Sequence, residues 1–168
     1  RDLLGPLDDG DEAAIVTETD ERGLYTIRHS TAHVLAQAVL DLFPGATFAI
    51  GPPVENGFYY DFELPDGATF TPDDLERIDA RMRQIIAERQ PFIRDEIAAG
   101  EALVLFKDHK YKCEIIEGQA DDPMSATETG LVRTYENPPR FIDLCREPRV
   151  PAAGRRGHPK PTRCAGAW

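Results

Sequence analysis

Residues 70–92, FTPDDLERIDARMRQIIAERQPF, constrain the fold more than any other stretch of the chain. Thr71 is placed to cap a helix, Pro72 suits its first position, and Asp73 and Asp74 complement the positive end of its dipole. Leu75, Ile78, Met82, Ile85 and Ile86 then recur at helical spacing on one side, with charge on the other. An apolar stripe of this kind belongs to a core, so the rest of the chain has to supply a surface for it. The expected surface is a sheet.

Several runs read as the strands of that sheet. EAAIVTET and GLYTIRH, within residues 12–29, are two short strands joined by the polar turn DERG. ATFAIGPPVENGFYYDFEL gives a short strand, a Pro-Pro turn and an Asn-Gly turn into an aromatic strand. YKCEIIEG reads as a further strand, and LVRTYE and RFIDLC as a hairpin around NPP. Two more helices are expected. One is capped by Ser30 and Thr31 and carries Ala32, Leu35, Ala36, Val39, Leu40 and Phe43, and a shorter one covers EIAAGEALVLFKDH. The fold class is therefore α+β: a mainly antiparallel sheet with two or three helices packed on one face. At 168 residues the chain is long enough for one domain with a substantial core.

No run approaches the roughly 18–20 apolar residues that a membrane span needs, so no membrane partner is expected. The acidic start, RDLLGPLDDGDEAA, lacks the order of a secretion signal. Three cysteines without a CxxC pair argue for a reducing compartment, the cytoplasm. A net charge of −11 discourages DNA binding, yet the segment from Pro139 onward carries seven Lys and Arg against Asp143 and Glu147. One basic face on an acidic body can meet a polyanion, or it can be a solvated tail.

The chemistry sits in RHSTAHVLAQAV. His29 and His33, one helical turn apart, project from the same face and can converge on one metal ion or one substrate. The zinc-protease version of this spacing requires Glu after the first histidine, and Ser30 stands there instead. Packed or surface histidines produce the same spacing, so the pair alone does not decide.

RHSTAHVLAQAV, GPPVENGFYYDF, FTPDDLE, YKCEIIEG and FIDLCREPRVP occur in one order. Together they resemble the editing domain of bacterial threonyl-tRNA synthetase, over residues 23–151, with residues 1–22 similar to the end of the ubiquitin-like domain that precedes it. Residues 152–168 then form an irregular basic tail. The resemblance implies hydrolysis of a wrongly attached amino acid from tRNA, with aminoacylated threonine tRNA as partner. It implies catalytic roles for His29, His33, Lys112 and Asp143, with Tyr135 lining the substrate pocket and Cys145 matching the family's cysteine.

The family's CRGPH reads CREPR here, so Arg149 replaces a histidine. Arginine does not ligate zinc, which argues against a zinc site built on His29, His33 and Cys145, although His158 is a candidate substitute ligand. Arg149 is instead expected to contact the terminal adenosine phosphate. The altered motif suggests a changed substrate, and free-standing relatives of this kind include a fluorothreonyl-tRNA deacylase. The expected function is a trans-acting deacylase that removes serine, or a threonine analogue such as 4-fluorothreonine. The alternatives are a catalytically inactive tRNA- or synthetase-binding module, or an excised cis-editing fragment. An open sheet edge would favour a homodimer or a covering tail.

Overall fold

The computed structural model describes residues 8–12, 14–118, 130–138, 141–145 and 149–154. Its helices are α1 (Glu21–Leu42), α2 (Pro72–Glu88), α3 (Ala99–Leu105) and α4 (Lys110–Ile116). The strands are β1 (Thr47–Phe48), β2 (Pro53–Val54), β3 (Gly57–Phe58), β4 (Phe62–Glu63), β5 (Ile93–Ala98), β6 (Leu131–Asn137) and β7 (Phe141–Leu144). They form three antiparallel sheets: β1 with β4, β2 with β3, and the larger β5-β6-β7. The protein is α+β. No helix among the described residues is long and apolar enough to cross a membrane.

Three local expectations are corrected. GLYTIRH is helical, because α1 begins at Glu21 and not at Ser30. Gly23 makes that start possible: a Cβ there would lie 1.8 Å from the Thr17 carbonyl oxygen, so the preceding chain crosses directly against the first turn. Ser30 and Thr31 are consequently interior residues, and their hydroxyls donate to the carbonyls of Thr26 and Ile27 at 2.7 and 2.8 Å. Residues 14–19, expected as part of a strand, are exposed and outside any helix or strand. YKCEIIEG lies mostly within α4, because Lys112, Ile115 and Ile116 are buried at helical spacing, which a short apolar run does not reveal.

The expected third helix is also shorter than its sequence pattern. Glu96, Ile97 and Ala98 belong to β5, and the helix occupies only Ala99–Leu105. β5 itself went unread. Five of its six residues are exposed, so no alternation marks it, and it is held by pairing to β6 and by Arg133 donating to Glu96 across the ladder at 3.0 Å.

α2 begins as the sequence requires. Thr71 Oγ1 accepts from the Asp74 amide at 3.3 Å, and the Asp74 carboxylate accepts from the Thr71 amide at 3.0 Å. Its stripe of Ile78, Met82 and Ile85 meets Val34, Ala38 and Val39 of α1, and Tyr135 and Cys145 join the same core. The stripe thus packs first on α1, and meets the larger sheet at Tyr135 of β6 and Cys145 just beyond β7.

The hairpin falls where the sequence places it, with Tyr135 opposite Asp143 and Thr134 opposite Leu144. Alternation then puts Tyr135, Asp143 and Cys145 on the face toward α1. Ile97, Val132 and Leu144 occupy the other face and pack with Ala102 and Phe106 of α3 and Ile115 and Ile116 of α4. The strand ends at Asp143 and Cys145 are thereby enclosed between two cores.

Candidate active site

Four parts of the chain converge at that enclosure. α1 supplies His29 and His33, whose rings lie edge to face with centroids 5.9 Å apart. α4 supplies Lys112, β7 and its end supply Asp143 and Cys145, and the segment after it supplies Arg149. His33, Lys112, Asp143, Cys145 and Arg149 are each at most 4% exposed. His29 is half-buried, at the outer side of the cluster.

The segment bearing Arg149 is held by its backbone. Val150 N–H donates to Ser30 Oγ at 3.0 Å, so the serine between the two histidines fixes the chain that approaches them. Farther along, Phe92 N–H donates to the Pro151 carbonyl at 3.3 Å and Ala153 N–H to the Gln90 carbonyl at 2.9 Å.

The Arg149 guanidinium points inward. Its Nη2 lies 2.9 Å from His29 Nε2 and 2.6 Å from His33 Nε2, and also contacts Cys145 Sγ. Its Cζ stands 5.2 Å from the centre of the Tyr135 ring. A guanidinium has no acceptor, so both histidines must offer a lone pair at Nε2 and carry their proton on Nδ1. Burial, reinforced by the Arg149 and Lys112 charges, pushes His29 down to about 2 and His33 well below its ordinary value. Both rings are neutral near pH 7.

Asp143 anchors the second half of the cluster. Its Oδ1 lies 2.6 Å from Lys112 Nζ, and its Oδ2 accepts from Tyr60 OH at 2.6 Å and lies 3.2 Å from His33 Nε2. Lys112 Nζ also stands 4.7 Å from the centre of the Phe48 ring. Burial, with the Asp143 charge beside it, holds the Tyr60 hydroxyl well above its ordinary value, so it remains a donor.

Every candidate residue within the described chain is therefore in or against one cluster. His158 lies outside the described residues. Tyr60 is the participant that sequence reasoning did not single out. A tyrosine in GFYYDF needs a partner for its hydroxyl once buried, and Gly51 gives it room: a Cβ at Gly51 would be 2.1 Å from the Tyr60 ring.

The donor atoms of His29, His33 and Cys145 lie within 4.8 Å of one another, a group that could hold a metal ion. With Arg149 as placed, the residues do not fit one. Zinc requires about 2.0–2.3 Å to each ligand, and an ion placed between these donors would overlap the guanidinium nitrogen that already stands 2.9 and 2.6 Å from the two imidazoles and against the sulfur. What the arrangement offers instead is two fixed cations, one carboxylate and two neutral imidazoles in a space largely closed to water.

The chain is 42% identical over 167 residues to threonine–tRNA ligase of Rubrobacter xylanophilus, which covers 99% of this chain and 24% of the ligase. It is 45% identical over 171 residues to the ligase of Acidithiobacillus ferrooxidans, and 44% identical over 163 residues to that of Thermobifida fusca. The chain is homologous to one segment of threonine–tRNA ligase. It spans about a quarter of the length of the curated relatives it matches. No family model matches it.

Proposed function

We propose that this chain is an aminoacyl-tRNA deacylase, hydrolysing the ester of a misattached β-hydroxy amino acid on threonine tRNA. The observation that carries the reading is the gathering of buried His33, Lys112, Asp143 and Cys145 with half-buried His29 in a single cluster, within a segment homologous to threonine–tRNA ligase. An aminoacyl ester is already activated, so hydrolysis needs a placed water, stabilisation of the developing oxyanion and a grip on the amino acid.

Each need has a residue. His29, neutral and nearest the outside, has its Nε2 lone pair engaged by Arg149, so it orients the attacking water as a donor through Nδ1–H. Lys112, held by Asp143, is the fixed cation for that oxyanion. Asp143 accepts from the substrate's ammonium, and Tyr60, whose proton is donated to Asp143, leaves its oxygen to accept from the substrate's hydroxyl. Tyr135 lies beneath Arg149 and supports the guanidinium from below.

The test is single-turnover hydrolysis of threonine tRNA charged with serine, threonine or 4-fluorothreonine, with uncharged tRNA as competitor. Rapid loss of one aminoacyl group, slowed by uncharged tRNA and lost in His29→Ala, is the expected result. Decay of all three esters at the buffer rate while the tRNA still binds would instead make this segment a tRNA-binding module.

A further inference from the structure

The position of Arg149 carries a conclusion that does not depend on which ester the pocket hydrolyses. Three soft or borderline donors, His29 Nε2, His33 Nε2 and Cys145 Sγ, converge on one point. The Nη2 of Arg149 stands at that point, 2.9 and 2.6 Å from the imidazole nitrogens and against the sulfur. Its two N–H bonds are shared among three acceptors, much as a metal ion shares its charge among three ligands.

We infer that the Arg149 guanidinium is the resident cation of this pocket, occupying the place of a divalent ion between His29, His33 and Cys145, and that it closes the pocket to transition metals. The reasons are steric and electrostatic. An ion at bonding distance from the three donors would overlap Nη2. It would also add two positive charges beside Arg149 and Lys112, with Asp143 as the one carboxylate touching the cluster among the described residues. Expelling the side chain is costly. Arg149 is 4% exposed, stacks over Tyr135, and has its backbone neighbour Val150 tied to Ser30.

The probe is cobalt(II) titrated into the whole chain, read by the thiolate-to-cobalt charge-transfer band and the visible bands of a four-coordinate ion. The wild-type protein is expected to show neither, whereas Arg149→His takes up one cobalt per chain, and adding Cys145→Ser removes the signal. A wild-type cobalt site whose charge-transfer band disappears in Cys145→Ser overturns the inference. So does silence in both Arg149→His and Arg149→Ala when circular dichroism shows them folded, because the arginine is then not what keeps the metal out. A measurement on the unmutated protein stands independently of the variants: imidazole nitrogen NMR is expected to find His29 and His33 both protonated on Nδ1. A proton on Nε2 of both rings contradicts the guanidinium contact. Loss of deacylation with these metal and tautomer results intact would count against the proposed reaction alone.

Discussion

Lys112 and Asp143 are charges that this fold removes almost entirely from water, with side chains 0% and 3% exposed. Each is tolerated because the other is there, so removing one leaves an uncompensated buried charge. Lys112→Met is expected to lower stability by about 3–5 kcal/mol in urea unfolding, and adding Asp143→Asn to recover a large part of that loss. The histidines give a pH signature. His33 stays neutral in the fold far below the pH at which it protonates in the unfolded chain, near 6.5. Above that pH the two states bind the same protons. Below it the unfolded state binds more, so stability falls as the pH drops through 6.5, approaching about 1.4 kcal/mol per pH unit for each such histidine. Thermal unfolding between pH 7 and 5 measures the slope, and His33→Gln is expected to flatten it. His29 and His33 were legible as candidates from their helical spacing, whereas Lys112, Asp143 and Cys145 were candidates only through the resemblance of the ordered motifs. The inward turn of Arg149 was not legible, because whether a buried arginine faces the pocket or solvent depends on partners far away in sequence, here 116 and 120 residues distant.

Elements with two-sided evidence were readable, and those without it were not. α2 carries a cap, a proline, acidic first-turn residues and a stripe, and all four agree with its observed start and buried face. Thr71→Ala is expected to cost about 1 kcal/mol at neutral pH. Asp74 is held below its ordinary value first by the Thr71 amide, so its share of the cap is present above the usual carboxylate range and disappears as the pH falls through its lowered value. The start of α1 was misread because Tyr, Thr and Ile in GLYTIRH favour strands, whereas the long helix behind it continues through them without an interruption. Ser30 gives α1 a second task, since its hydroxyl accepts from Val150 and so holds the arginine segment against the helix. Ser30→Ala is expected to weaken deacylation several-fold with only about 1 kcal/mol lost in stability, which separates positioning from folding. Activity lost only in proportion to the folded fraction would refute that role.

At the scale of the molecule, the site is the seam between two cores. The first is α1 against α2; the second is α3 and α4 on the far face of the larger sheet. The histidines lie on an element of one and Lys112 on an element of the other, so the cluster depends on both being packed. Ile85→Ala in the first core is expected to cost about 2–5 kcal/mol. The same seam explains why the fold class was legible while the face each helix covers was not: strand and helix composition set the class, but partner choice is fixed by long-range packing. The measurement that bears most directly on the proposed chemistry is the pH profile of single-turnover hydrolysis of serine-charged threonine tRNA, wild type beside His29→Ala. Neutral histidines held between two fixed cations predict fast release in the wild type without the loss of rate near pH 6.5 that an ordinary histidine base would impose, and release at the buffer rate in His29→Ala. Equal, buffer-limited decay in both proteins at every pH would contradict a hydrolytic role for the cluster.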